Sequence, residues 1–270
     1  MTRIALVVSD VDGTLLTKDK TLTDKTARAV RQLEDSGVGF TIVSSRPTIG
    51  MRFLVDPLRI TLPVGSFNGS SISDPQMNPI EQHLIPASAA QRSIDVLNQF
   101  GVDIWLFTHD KWFARNADGE YNPFEKRTIK VAPVIVDDFA PYLSAACKIV
   151  GSTSDAALLQ RCDAAMQNAV GTQATAVRSQ SYYLDITPPG YDKGTFVQAI
   201  AKRLGISTDA VATVGDMHND LAMFRTSGLS IAMGNAADDI KRQATHVTTS
   251  NQDEGFAGAM DIVMKNNEGK

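Results

Sequence analysis

The segment "LVVSDVDGTLLT", residues 6–17, decides the fold. With Ile4 and Ala5 ahead of it, it opens as a short, β-branched-rich apolar run without alternation. That is the pattern of a strand buried on both faces of a parallel sheet. The run stops at Asp10 and Asp12, two carboxylates that repel each other, and Gly13 and Thr14 follow at once. A buried strand that ends on such a pair needs something to offset the charge.

The text on either side repeats this design. Thr23 is placed to cap a helix carrying Ala27, Val30 and Leu33, which Gly37 closes. Val38 to Val43 reads as a second buried strand, a helical segment follows Pro47, and "LPVGSFNG" (62–69) reads as a third strand ending in a glycine turn. From Lys193 the alternation returns. A helix over 194–205 aligns Phe196, Ile200 and Leu204 before Gly205. Then come a strand at 211–216, a helix at 220–228, a strand at 229–234, a helix at 236–244, a strand at 246–249 and a last helix from about Glu254. Strands alternating with helices through short links predict an α/β fold, a doubly wound, mostly parallel, Rossmann-like sheet.

Between these halves the texture changes. A helix from about Pro86 to Phe100 leads into "IWLFTHDKWFARN" (104–116), two strands joined so tightly at His109–Lys111 that they must be antiparallel. Strand-like "VAPVIVDDF" (131–139) and "CKIV" (147–150) follow, then a helix with the apolar stripe Leu158, Leu159, Cys162, Ala165 and Met166. The pair "ATAVRS" (174–179) and "SYYLDITP" (181–188) closes the stretch. Helix-then-two-strands near both ends suggests an inserted α+β module with an internal pseudo-repeat. The expected division is a core of 1–82 plus 187–270 and an insert of 83–186.

Bulk properties narrow the function classes. The chain has 270 residues, 43% hydrophobic and 21% charged, with a net charge of −4, so a general nucleic-acid footprint is not expected. Two cysteines without a CxxC spacing fit a reducing cytoplasm. No apolar run approaches the ~20 residues of a membrane span, and the first residues are too short an apolar run for a signal peptide. Neither a nucleic acid nor a membrane is therefore expected as a partner.

In open α/β sheets, ligands collect outside the carboxyl ends of the strands. Polar clusters fall at such positions: "DVDGT" (10–14), "SSR" (44–46), "DKG" (192–194) and "GDMHND" (215–220). Their convergence is what phosphoryl transfer needs. A carboxylate can attack phosphorus. Facing carboxylates need a cation, and Mg²⁺ prefers oxygen ligands, matching Asp10, Asp12 and Asp216. A lysine, hydroxyls and the backbone amides of a glycine-containing turn hold phosphate oxygens. The spacing does not fit a calcium loop, since the glycine comes at the fourth place and no glutamate closes it. No GxxxxGK[ST] occurs either.

DxDGT, a Ser after the second strand, Lys-Gly and GDxxND, in this order, resemble the haloacid dehalogenase-like phosphohydrolases. The text from Val214 to Ser250 is similar to the Cof-type branch, whose α/β cap is an insert between the second and third motifs. The resemblance spans essentially the whole chain. It implies Asp10 as nucleophile and Mg²⁺ ligand, and Asp12 as the acid and base whose backbone carbonyl also meets the metal. Val11, Ser44, Ser45, Lys193 and Asn219 would bind phosphate, Asp216 would ligate Mg²⁺, and Asp220 would stand behind these. Ser45 departs from the pattern, replacing a glycine of the usual "ATGR". His218 falls on a variable position and reads as a loop residue.

The implied function is a Mg²⁺-dependent phosphatase of small phosphomonoesters, sugar phosphates among them, working through an aspartyl-phosphate. A phosphomutase or a non-catalytic binder of a phosphorylated ligand would use the same residues. The cap would close over the site and exclude water. Trp105, Phe107, His109, Trp112, Arg115 and Tyr182 are candidates for its substrate surface, although packing of the insert's own small core is the better reading for most of them.

Overall fold

The computed structural model describes residues 2–268; residues 1, 269 and 270 of the expected core lie outside it. The chain starts with β1 (Leu6–Ser9), α1 (Asp24–Asp35) and β2 (Gly39–Ile42). Thr23 caps α1 through its side chain, which accepts from the Thr26 N–H. Next come the short α2 (Arg52–Val55) and the small strands β3 (Val64–Ser66), β4 (Ser71–Ser73) and β5 (Pro79–Gln82).

The central stretch folds as α3 (Ala87–Phe100), β6 (Asp103–Phe107), β7 (Trp112–Ala114), α4 (Asn122–Ile129), β8 (Val134–Ile135), β9 (Lys148–Ser152), α5 (Ala156–Val170), β10 (Thr175–Gln180) and β11 (Tyr183–Thr187). The chain ends with α6 (Lys193–Leu204), β12 (Val211–Gly215), α7 (Leu221–Thr226), β13 (Leu229–Ala232), α8 (Asp238–Lys241), β14 (His246–Val247) and α9 (Gly255–Glu268). Among the described residues no helix is long and apolar enough to cross a membrane.

Two compact units result. The first comprises, among the described residues, 2–45, 52–80 and 191–268. Its main sheet is parallel, in the order β14-β13-β12-β1-β2. Leu6 and Val8 of β1 face Phe196, Val197 and Ile200 of α6 and Met223 of α7. On the other face, Phe40 of β2 meets Phe256 of α9 edge-on at 6.0 Å, where α9 also lies along α1. The sheet is thus doubly wound, and its central strands β1, β12 and β13 are buried throughout, as their unbroken apolar text requires, while the edge strand β14 is exposed.

The third strand differs from expectation. β3 joins β2 only through an isolated Val43–Gly65 bridge and belongs to a separate sheet, β3-β4-β5, whose first pair is antiparallel. The reason is the turn at 67–69, which sends the chain straight back instead of into a crossover helix.

The second unit comprises residues 46–51 and 81–190. Its sheet runs β10-β11-β9-β6-β7-β8 and is antiparallel except for the short β7–β8 pair. Helix plus antiparallel pair occurs twice, as α3-β6-β7 and α5-β10-β11. Both helices lie on one face, where Ile94, Leu97, Leu159, Cys162 and Met166 pack on Ile104, Leu106, Ile149 and Leu184.

Residues 46–51, expected in the core, cluster with this unit instead. Buried Arg46 donates to the carbonyls of Gly50 and Thr128 at 3.0 and 2.6 Å, and Gly50 lies against Ile129. The sequence reading also missed α4, which is short, begins at an Asn-Pro pair and has few apolar positions to mark it.

Candidate active site

β1 lies at the point where the strand order reverses, with β2 on one side and β12 on the other. Ser9 is level with Ile42 and with Val214, so the residues just past these strands share one edge. Asp10 and Asp216 meet there, and Ser44 follows β2 by two residues. The Asp10 N–H donates to the Val214 carbonyl, so pairing continues up to the residue that leaves the sheet.

Lys193 arrives from the other side as the first residue of α6. Asp192 caps that helix by accepting from the Thr195 N–H, and Thr195 Oγ1 accepts in turn from the Asp192 N–H. This capping box fixes where Lys193 begins its reach. Its ammonium, only 1% exposed, donates to Asp10 Oδ1 at 2.5 Å and to Asp220 Oδ1 at 2.6 Å. Asp220 Oδ2 accepts from the N–H groups of Asp216 and Met217, both at 2.8 Å. With both oxygens engaged, Asp220 serves to fix Lys193 and the 215–217 backbone. Asp216 accepts from Thr14 Oγ1 at 2.8 Å and from Asn235 Nδ2 at 3.3 Å. Asn235 also donates to the Gly13 carbonyl at 3.0 Å. Gly13 has φ +82°, and any Cβ there would run into the Asp216 carboxylate, so glycine is required on both counts.

Carboxylate oxygens of Asp10, Asp216 and Asp220 lie within 4.8 Å of one another. Burial pushes Asp10 well above the usual carboxylate range, opposed by Lys193 and reinforced by Asp220 and Asp216. Asp216 rises to about 6, through burial first and the neighbouring Asp220 second. Burial alone would lower Lys193, yet Asp10 and Asp220 carry it above its ordinary value and keep it charged. Three carboxylates face one lysine, so the ionised cluster carries uncompensated negative charge. Hard oxygen donors with that deficit fit a divalent cation such as Mg²⁺.

The remaining expected residues lie as follows. The Asp12 carboxylate is not in the cluster. It pairs with Lys20 at 2.7 Å and is 28% exposed, so the side-chain grouping expected of Asp10, Asp12 and Asp216 is corrected to Asp10, Asp216 and Asp220. Lys20 can reach it because the chain between them doubles back, pairing Leu16 with Asp12 and with Leu22. Val11 is buried, and its carbonyl accepts from the Leu16 N–H. Ser44 is buried and Ser45 half-buried. Asn219 is exposed, and its Nδ2 donates to Asn68 Oδ1 at 3.1 Å. His218 is exposed as well and pairs with Asp239 at 2.8 Å, a surface contact.

In the inserted unit Trp105, Phe107 and Trp112 are buried against one another. Trp105 meets Trp112 edge-on at 5.2 Å, and Phe107 stacks on Trp112 at 5.9 Å. Tyr182 stacks on Tyr121 at 4.5 Å, Arg115 covers Phe139 at 5.2 Å, and His109 Nδ1 lies 3.4 Å from Thr48 Oγ1. Trp105, Phe107 and Trp112 are thus core side chains, whereas Arg115 is exposed and His109 and Tyr182 are half-buried.

Sequence reasoning missed Lys20, Asn68 and Asn235. Two signals existed: an Asn-Gly pair after the third strand, and a Gly-Asn pair just past β13, the strand beside β12. Phe67 and Asn68 have φ +51° and +58°, and Gly69 follows at +94°. A left-handed backbone costs a bulky residue such as phenylalanine on the order of 1–2 kcal/mol, and asparagine less.

Comparison with known proteins agrees with this geometry. The family model of haloacid dehalogenase-like hydrolases matches residues 7–260. A 5-amino-6-(5-phospho-D-ribitylamino)uracil phosphatase of Bacillus subtilis is 27% identical, over 95% of this chain and 94% of its own. A pyridoxal phosphate phosphatase of Escherichia coli is 24% identical, over 93% and 96%. In fold, a haloacid dehalogenase-like hydrolase from Bacteroides thetaiotaomicron superposes with a TM-score of 0.91 at 24% identity, over 97% of this chain and 100% of its own.

Proposed function

The chain belongs to the haloacid dehalogenase-like hydrolases, and from that membership and the buried Asp10–Lys193–Asp220 ion pairs we propose that it is a Mg²⁺-dependent phosphatase of small phosphomonoesters. The ion pairs carry the reading. A lysine held against a buried aspartate at the carboxyl edge of the central strand gives a nucleophile with a fixed cation for phosphate oxygens beside it.

Asp10 attacks phosphorus, forming a carboxyl O–P bond as the bond to the leaving oxygen breaks. Asp12, outside the buried cluster and reachable from solvent, gives its proton to the leaving oxygen. It then takes a proton from the water that attacks the aspartyl-phosphate, releasing phosphate and restoring Asp10. Lys193, with Ser44, Ser45, Asn219 and the Val11 backbone, holds the phosphate oxygens where charge accumulates. Asp10 and Asp216 would hold Mg²⁺, and the Asp12 carbonyl would complete the protein's share of ligands. When bound, the metal neutralises charge on the phosphoryl group and favours the ionised form of Asp10. Thr14 and Asn235 keep Asp216 aimed, and Asp220 keeps Lys193 aimed.

Sugar phosphates and related small phosphomonoesters are the proposed substrates. The relatives named for a ribitylaminouracil phosphate and for pyridoxal phosphate support that class, though they choose no single member of it. Two buried cysteines without a disulfide support work in a reducing cytoplasm.

Phosphate release across a panel of phosphomonoesters with Mg²⁺ tests the proposal. Wild-type protein should turn over part of the panel, lose that activity in EDTA, and lose at least ~10³-fold in Asp10→Asn. No release across the panel, or substantial activity in Asp10→Asn, would sink it.

A further inference from the structure

The turn at residues 67–69 has no role in the chemistry described above, yet it bonds to or packs against elements carrying three of the proposed phosphate-binding residues. Its backbone is left-handed at three successive positions, Phe67, Asn68 and Gly69, although only the last is glycine. Phe67 is bulky and fully buried, the residue type least suited to that conformation. The contacts of the turn explain why the conformation is kept. The Asn68 N–H donates to the Ser44 carbonyl at 2.8 Å, and the Ser44 N–H donates to the Gly65 carbonyl at 3.0 Å, so both backbone groups of Ser44 are tied to this segment. Asn68 Oδ1 accepts from Asn219 across 151 residues of sequence. Gly69 lies so close to the start of α6 that a Cβ there would come within 2.9 Å of the Asp192 carbonyl and 2.8 Å of Phe196 Cβ. Lys193 is the residue after Asp192.

We propose that Asn68 is a positioning residue: it locks the amide of Asn219 at a fixed place relative to Ser44, so that the two present their donors to phosphate together. The proposal rests on the phosphatase reading above. Asn219 needs such a lock because it is exposed on a short 3₁₀ turn and its amide torsion is broad; Asn68 is its hydrogen-bond partner among the described residues. Asn68 suits the task on two counts. Asparagine tolerates the left-handed backbone, and its side-chain oxygen accepts from Asn219 while its N–H stays on Ser44. Donors held in advance need no reorganisation when the phosphoryl group arrives.

Asn68→Gly separates this role from a merely structural one, since glycine relaxes the backbone, keeps the N–H and deletes only the amide. The measurement is kcat/KM for p-nitrophenyl phosphate, with calorimetric binding of inorganic phosphate in Mg²⁺ alongside it, in wild-type and Asn219→Ala backgrounds. In the wild-type background Asn68→Gly should cost roughly tenfold in one or both readouts, with an unchanged or raised melting temperature. In the Asn219→Ala background it should cost less than ~2-fold, because the residue it positions is gone. Equal losses in the two backgrounds, or no loss in the wild-type one, would overturn the proposal while leaving the phosphatase reading standing. A wild-type protein that neither hydrolyses the ester nor binds phosphate would overturn both.

Discussion

The two units differ in how much buried charge they gather in one place. At the strand ends of the first, Asp10, Lys193, Asp216 and Asp220 are all nine-tenths buried and are bonded to one another or to Thr14, Asn235 and backbone amides. In the second, Lys148 and Asp185 form a single ion pair at 2.6 Å and large aromatic side chains fill the sheet face around it; buried atoms without a hydrogen bond to the described residues occur in both units, Ser71 Oγ and Ser73 Oγ in the first and Trp112 Nε1, Ser152 Oγ, Tyr183 OH and Asp185 Oδ1 in the second. The first unit concentrates charge, three carboxylates around one lysine, and leaves part of it for a cation to offset; the second gains its stability from packed area. A lost side chain should therefore cost chemistry in one unit and cohesion in the other.

Lys193→Ala should break that contrast most severely. Removing the ammonium leaves Asp10 and Asp220 buried and facing each other, an uncompensated arrangement that costs about 3–5 kcal/mol in metal-free protein. Turnover should fall by about 10²–10³-fold or more. Urea unfolding followed by circular dichroism in EDTA, beside phosphate release in Mg²⁺, measures both. Unaltered stability would mean that the cluster is compensated some other way.

Trp105→Ala is the counterpart in the inserted unit. It should cost about 3–5 kcal/mol, from the lost packing and from the broken Nε1 bond to Asn122 at 2.8 Å. Both tryptophans of the chain lie in this unit, so the fluorescence of the remaining Trp112 reports its unfolding. Phosphate binding in Mg²⁺ should survive below that transition. Its loss in the folded variant would show that the units are not as separable as their chemistry.

The acidic cluster also sets a pH dependence. Asp216 is raised from the ordinary 3.8 to about 6, so the folded chain holds its proton more tightly than the unfolded chain does. Stability from this group is complete below pH 3.8 and is lost as pH rises through about 6. Metal-free wild-type protein should lose more stability between pH 4 and pH 7 than Asp216→Asn, which cannot titrate there. Mg²⁺ must displace the proton, so it should raise the melting temperature more at pH 8 than at pH 5. An equal Mg²⁺ effect at both would remove these carboxylates from the metal site.

The smallest effect is expected at a helix cap. Asp155 caps α5 by accepting from the Leu158 N–H at 2.8 Å, and Asp155→Ala should cost about 1 kcal/mol in the tryptophan-reported transition. Turnover should not change. A change would connect α5 to the chemistry.

Much of this was legible in the chain. The parallel strands are unbroken apolar runs, and a strand buried on both faces leaves no other pattern. Asp10 and Asp216 stood out because acids directly beside such runs are costly without a purpose, and Lys193 stood out through the Lys-Gly pair that opens a helix. The insert's hairpins could be read from tight turns such as His109–Lys111. Less visible were α4, with few apolar positions, and β3, whose departure from the main sheet follows from a left-handed turn built with Phe67 and Asn68 instead of glycine.

By itself, then, the sequence determined the order of elements and the kind of chemistry, because both are written in local periodicity and in residue types at strand ends. Only the tertiary structure decided the partners: that Asp220 and not Asp12 completes the carboxylate group, that Lys20 takes Asp12, that Asn235 aims Asp216, and that Asn68 reaches Asn219. Each of these pairings follows from where separate strands and turns end in space. Charge and hydrogen bonding act over a few ångströms whatever the distance along the chain, and no local pattern records such meetings.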